Sequence, residues 1–139
     1  VLEHIDTPIE TIKQLVNKLN KGGLLLIEGP TEMNFNIALL TRRYYFILKH
    51  KIHGRYIANH VPTHITFTNS KNQLYFFKQF ELETLHYKII ESAWPYPNSF
   101  KSAKGIGGKT KSIIAKISIL ISSMFSNWGN TFIYVGRKK

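Results

Sequence analysis

The 139-residue sequence contains no cysteine. This absence excludes disulfide bonds, thiolate zinc sites and cysteine nucleophiles, and it leaves the redox compartment open. The sequence also shows no secretory signal pattern at its start and no run of about 18 apolar residues. Neither a secreted nor a membrane-spanning protein is therefore indicated. We expect a cytoplasmic protein, with a peripheral position on a membrane as the alternative.

Acidic residues are missing from the carboxy-terminal third. All eight acidic residues lie at or before Glu91, and the formal net charge of the chain is +11. From residue 92 onward every charged side chain is basic: Lys101, Lys104, Lys109, Lys111, Lys116, Arg137, Lys138 and Lys139. A segment of one sign attracts anions such as nucleic acid, phospholipid head groups or a phosphorylated substrate. The alternative is an ordinary basic surface without a partner.

The apolar content of 43% is typical of a globular protein, and the length favours a single domain over residues 1–139. Thr7, Pro8 and Glu10 predict a capped helix start. The run "LLLIEG" that follows this helix predicts a strand buried on both faces. Further helices are predicted at about 34–50, 70–80 (with Ser70 and Gln73 as a capping box) and 113–128, and further strands at about 85–94 and 131–136. This order of elements is typical of an α/β fold.

The last predicted helix carries an apolar stripe made of Ile113, Ile117, Leu120, Ile121, Met124 and Trp128. Packing into the core is the first expectation for such a stripe. Because lysines flank it, attachment to a membrane surface is an alternative. Basic residues interleaved with Phe100, Phe125 and Trp128 also leave nucleic-acid binding open, although no recognised motif accompanies them.

The stretch "AKGIGGKTKS", residues 103–112, fits a loose form of the phosphate-binding loop. Such a loop leaves a buried strand and opens a helix, whereas "WPYPNSFKS", with two prolines, precedes this one. No acidic residue that could bind magnesium follows it. The stretch is therefore predicted to be a flexible glycine hinge that leads into a basic helix.

His60 and His64 are candidate metal ligands, because a spacing of four residues would place them on one helical face. Pro62 between them disfavours a helix. Neither cysteine nor clustered carboxylates accompany them in the sequence, so no metal is expected.

The segment "VLEHIDTPIETIKQLVNKLNKGGLLLIEGP" resembles the middle of class I S-adenosylmethionine-dependent methyltransferases. In that family a Leu-Glu-His step ends the fourth strand, a helix opens near a proline, and Leu-x-x-Gly-Gly precedes the fifth strand. Here these are Leu2-Glu3-His4, Pro8 and residues 19–23. The segment "HITFTNSKNQLYFFKQFEL" resembles the family's histidine and aromatic residue before a short helix, and "GNTFIYVGRKK" resembles its last strand.

This resemblance implies an α/β fold: the carboxy-terminal half of a Rossmann-like sheet, with strands four to seven, the last antiparallel, and flanking helices. The family's glycine-rich cofactor loop and ribose-binding acid have no counterpart in residues 1–139. We therefore expect a partial domain of a truncated longer enzyme, which alone neither binds cofactor nor turns over. The complete enzyme would use S-adenosylmethionine to methylate a small-molecule, lipid or sugar acceptor. The unpaired apolar edge of strand four is expected to promote self-association.

Ligands bind beyond the carboxyl ends of the strands in open parallel sheets, and the resemblance assigns residues there. It implies cofactor binding by Leu2, Glu3 and His4, substrate binding by Glu28, Gly29, Pro30 and His64, and catalytic roles for His4 and His64. An imidazole at His4 can accept a proton, since it titrates near neutrality. The alternatives are that Glu3 and His4 only cap the following turn, and that His64 is an ordinary loop histidine.

A function of another class is the alternative to the enzyme: a non-catalytic basic module that binds nucleic acid or an anionic membrane. It predicts salt-sensitive binding through the basic carboxy-terminal segment, without any need for upstream residues.

Overall fold

The computed structural model describes residues 2–54, 65–66, 68–93, 96–97 and 99–139. Helices and strands are interspersed along the chain in an α/β arrangement, which confirms the predicted class. The elements are a 3-10 turn at Leu2–His4, α1 at Pro8–Lys18, β1 at Leu24–Pro30, α2 at Ile37–His53, α3 at Ser70–Phe77, β2 at Leu82–Ile90, α4 at Gly105–Met124 and β3 at Thr131–Lys138.

The described strands form one open sheet in the order β1-β3-β2, and β3 is antiparallel to both neighbours. The strands β1 and β2 therefore run parallel to each other, and their carboxyl ends, Pro30 and Ile90, both pair with Thr131. The last strand is antiparallel, as expected. Leu2, which was expected to end a fourth strand, lies instead in the 3-10 turn. Within the described residues the sheet thus has three strands rather than four, and a free edge belongs to β1.

The hydrophobic core lies on one face of the sheet, beneath α1 and α3. Its buried members are Ile12, Val16, Phe77, Leu82, Ile89, Phe132 and Tyr134. The ring of Phe77 stacks on that of Tyr134 with 3.9 Å between the centroids. Because β-strand side chains alternate between faces, Phe132 and Tyr134 reach this core from successive inward positions of β3.

The other face of the sheet is open to solvent. Leu26 of β1 is 67% exposed, and Leu24 is similarly exposed. The prediction that this strand is buried on both faces is therefore wrong. An unbroken apolar run indicates double burial only if elements cover both faces, and the described helices cover one face of β1.

Two predicted helix caps differ from the structure. The side chain of Asn69, not Ser70, caps α3 by accepting hydrogen bonds from the backbone N–H groups of Lys71 and Asn72. Thr7 makes no side-chain capping bond, although α1 begins at Pro8 as predicted. A proline at the first helical position already fixes the entry of the chain into the helix.

The helix α4 contacts α2 through small side chains. Ser112, Ala115 and Ser118 are buried, and the Ser118 hydroxyl oxygen accepts a hydrogen bond from the backbone N–H of Ala38 at 3.3 Å. Of the predicted stripe, Ile113, Ile117, Leu120 and Met124 are exposed instead, and Ile121 and Trp128 are partly buried. The prediction that this stripe packs into the core is therefore wrong, because small residues let the two helices approach closely and occupy the contact.

The glycine-rich stretch of residues 103–112 is not a hinge. The helix α4 begins at Gly105, which has φ of 65°, and continues without interruption through the other glycines. Gly108 lies against the backbone of Ala103, where a Cβ atom would be 3.3 Å from the Ala103 carbonyl carbon. The glycines thus let the first helical turn fold back on the preceding segment.

Tyr87 joins β2 to α3, since its hydroxyl donates a hydrogen bond to the Ser70 carbonyl oxygen at 2.6 Å. Burial raises the pKa of Tyr87 to about 12. A tyrosine in the unfolded chain has a pKa of about 10, so the stabilisation linked to this proton is complete below about pH 10 and is lost as the pH rises toward about 12.

We expect Tyr87→Phe to lower the free energy of unfolding by about 1 kcal/mol at neutral pH, because the hydrogen bond to Ser70 is lost. The melting temperature of this variant should also decrease less than that of the parent chain between about pH 10 and about pH 12. Circular dichroism melts at both ends of this range measure the effect, with the exposed Tyr75→Phe as control. Equal melts for the two variants would contradict the role of the Tyr87 hydroxyl.

Candidate functional site

A pocket of about 200 Å³ opens at the carboxyl end of β1, between the 3-10 turn and α3; we call it the β1 pocket. Its walls are largely apolar, with several polar groups among them. The lining residues are Leu2, Glu3, Pro8, Pro30, Thr66, Thr68, Asn72, Gln73, Phe76 and Phe132. Glu3 is the charged residue of this lining.

Backbone hydrogen bonds hold the walls of the β1 pocket together. The carbonyl oxygen of Glu3 accepts hydrogen bonds from the N–H groups of Ile65 at 2.7 Å and Thr66 at 3.2 Å. The carbonyl oxygen of Thr68 accepts one from Met33, just beyond β1, at 3.1 Å. The segment before α3 is thereby tied both to the 3-10 turn and to the end of β1, so three separate parts of the chain meet at the pocket.

Gly29 makes room for the floor of the pocket. A Cβ atom at this position would lie 3.0 Å from Cε1 of Phe132 and 3.7 Å from Oε2 of Glu3. A contact of 3.0 Å is too short for a carbon pair at its optimal separation. The absence of a side chain therefore lets the Phe132 ring lie close to the end of β1, whereas a Cβ atom would make only an ordinary contact with Glu3.

The Glu3 carboxylate is well enclosed, since its side chain is 14% exposed, and its Oε1 lies 3.7 Å from Nε2 of His4. An ionised carboxylate in a mostly apolar pocket is a strong acceptor for hydroxyl or amino donors of a ligand.

The structure brings together four of the residues predicted for the site. Leu2, Glu3 and Pro30 line the β1 pocket, and Gly29 faces Glu3 from beneath. His4 lies beside them and is not among the lining residues: half of its side chain is exposed, and its Nε2 is 3.7 Å from Oε1 of Glu3.

Two other predicted residues do not join this group. Glu28 is exposed and lies on the open face of the sheet, because it pairs with Ile133 and alternates with Gly29. His64 lies outside the described residues, as does His60 of the candidate metal pair.

Several lining residues were not identified from the sequence. Asn72, Gln73 and Phe76 have the spacing of one helical face of α3, which is a signal that could have been used. Thr66 and Thr68 precede the helix without any pattern that marks them. Their place depends on the hydrogen bonds to the 3-10 turn and to Met33, which connect distant parts of the sequence.

Metal binding and a phosphate loop find no further support in the described part of the chain. No group of three or more histidine, aspartate or glutamate side chains there could hold a metal ion. Before α4, which begins at Gly105, the nearest described strand ends at Ile90, so residues 103–112 do not leave a strand directly.

Comparisons with protein-family models and with curated protein sequences give no match to this chain. The residues of the chain and the geometry of the β1 pocket are therefore the basis for assigning a function.

Proposed function

We propose that this chain is the carboxy-terminal half of an S-adenosylmethionine-dependent methyltransferase that methylates a small-molecule, lipid or sugar acceptor. The observation that carries the proposal is the meeting of Leu2 and Glu3 with Gly29 and Pro30 at the β1 pocket. The family resemblance assigns the first of these pairs to cofactor binding and the second to substrate binding, and the two pairs belong to different secondary-structure elements.

The sheet supports the same proposal. Its last strand, β3, is antiparallel to β1, as the resemblance implies, and the β1 pocket lies beyond the carboxyl end of β1. Ligands of open α/β sheets bind beyond these ends. The free edge of β1 is available for pairing with further strands or, in the isolated chain, with a second copy.

The size of the pocket fits a partial site. Its volume of about 200 Å³ is below the roughly 300–1,000 Å³ of complete ligand sites. The Glu3 carboxylate and the polar side chains of α3 are suitable for hydroxyl and amino groups of a nucleoside-containing cofactor. We therefore infer that residues 1–139 supply one wall, and that the isolated chain neither binds cofactor nor turns over.

In the complete enzyme, S-adenosylmethionine supplies an activated methyl group when bound. Methyl transfer depends mainly on alignment of the reacting groups, so this chain would contribute by orienting the cofactor and the acceptor and by excluding water. In this proposal Glu3 binds a donor group and the rings of Phe76 and Phe132 form apolar walls. His4, which lies beside Glu3 and outside the lining, is the candidate acceptor for the proton of an acceptor hydroxyl or amine.

The coding sequence upstream of Val1 tests this proposal. We expect a strand, a glycine-rich loop and a helix within about 80 residues, the length of two to three βαβ units. An intact gene that encodes no such segment would overturn the enzyme assignment.

A further inference from the structure

The helix α4 carries a row of large apolar side chains that are between 44% and 87% exposed. We call it the α4 stripe: Ile106, Ile113, Ile117, Leu120 and Met124. The exposed fractions of Ile106, Leu120 and Met124 are 87%, 63% and 71%. Spacings of three, four and seven residues place the stripe on one side of the helix, opposite Ser112, Ala115 and Ser118 at the contact with α2.

Positive charge and aromatic rings lie beside the α4 stripe. The Nζ atoms of Lys109 and Lys116 are 5.6 Å and 5.9 Å from the ring centroid of Phe100. At the other end of the helix, the exposed ring of Phe125 stacks on Trp128 at 5.1 Å. No acidic residue follows Glu91 in the sequence, so no carboxylate of this segment offsets the lysines.

We propose that the α4 stripe docks on an anionic lipid bilayer, with its apolar side chains at the boundary of the acyl chains and its lysines beside the lipid phosphates. A helix with an apolar side flanked by cations and aromatic rings suits this boundary. No helix in the described part of the chain is long and apolar enough to cross a membrane, so α4 would lie along the surface.

Other occupants of the stripe fit the charges and the topology less well. A second copy would bring two basic α4 segments together, which is unfavourable. Nucleic acid would place phosphates against five large apolar side chains, whereas such interfaces are polar. Upstream strands would add at the free edge of β1, whereas α4 packs against α2 and β2, on the far side of β3.

The proposal also deepens the function, since the acceptor of a membrane-docked methyltransferase would be a membrane lipid. That second step rests on the proposed function, whereas membrane docking does not. If the gene lacks the upstream glycine-rich segment, the methyltransferase assignment fails but the measured vesicle binding still stands. Failure of the proposed function can therefore be distinguished from failure of membrane docking.

Flotation of the 139-residue chain with vesicles tests the docking. The probes are phosphatidylcholine vesicles with and without about 30% phosphatidylglycerol, at about 50 mM and about 500 mM salt. We expect binding to the anionic vesicles that weakens at high salt. Leu120→Glu should reduce the partition coefficient by about tenfold or more, because an apolar contact is replaced by a charge. Leu26→Glu, a matched change at an equally exposed leucine on the open face of the sheet, should alter it less than about twofold.

A second pair of variants tests the lysines. Lys109→Gln with Lys116→Gln should weaken partition by roughly fivefold per lysine. Lys71→Gln in α3 combined with Lys78→Gln just after this helix should have little effect. The proposal is overturned by lack of vesicle binding or by equal losses for Leu120→Glu and Leu26→Glu. It is also overturned if light scattering shows a dimer that Leu120→Glu dissociates, or if the chain binds duplex DNA as strongly as it binds the anionic vesicles.

Discussion

Replacing Glu3 by glutamine is expected to lower kcat/KM of the proposed methyltransferase by about 10- to 100-fold. Glu3 is the charged residue of the β1 pocket lining, and hydrogen bonds to an ionised group contribute about 1.5–3 kcal/mol. Glutamine keeps the shape of the side chain and removes the charge. Transfer of a labelled methyl group from S-adenosylmethionine measures the effect.

Glu28→Gln is the matched control for this prediction. Glu28 is exposed and belongs to the same strand as Gly29, but it lies on the other face of the sheet. We expect the methyltransferase activity proposed above to stay within about twofold of the unmodified protein in this variant. Equal activities for the Glu3 and Glu28 variants would show that the β1 pocket is not the site of transfer.

Replacing Phe77 by alanine is expected to lower the free energy of unfolding by about 3–5 kcal/mol. Phe77 is fully buried and connects α3 to β3. Its ring centroid lies 3.9 Å from that of Tyr134, on which it stacks, and 5.8 Å from that of Phe132. Total stabilities of about 5–15 kcal/mol are typical of single domains. The loss would therefore bring the chain close to unfolding.

Urea unfolding monitored by circular dichroism measures the effect of Phe77→Ala. Tyr75→Ala, at an exposed position of the same helix, should cost less than about 1 kcal/mol. A cost below about 1 kcal/mol for Phe77→Ala would contradict a core organised by α3. Because Phe132 belongs to both the core and the pocket, the variant should also lose the β1 pocket.

Local sequence signals predicted much of the fold. The proline at the first helical position predicted where α1 begins, and the alternation of inward and outward side chains predicted β3. Both signals depend on only a few neighbouring residues. Burial depends on distant elements, and two such predictions failed. The apolar run of β1 carries no information about which face is covered. In α4, large residues were assigned to the core, whereas Ser112 and Ala115 occupy the contact with α2.

The candidate site was predicted in part. The family resemblance identified Leu2, Glu3 and Pro30, which meet at the β1 pocket. Glu28 lies on the open face because residues within a strand alternate between its faces, whereas Pro30, the last residue of β1, reaches the pocket from the end of the strand. The place of Thr66 could not be predicted, because it follows from a backbone hydrogen bond to Glu3.

The most direct test of the proposed methyltransferase is a calorimetric titration with S-adenosylhomocysteine. It should be performed on the product of the intact gene and on the 139-residue chain. We expect saturable binding by the complete product, weakened by Glu3→Gln, and none by the isolated chain, which in this proposal supplies one wall of the site. No binding by the complete folded product would contradict the methyltransferase function.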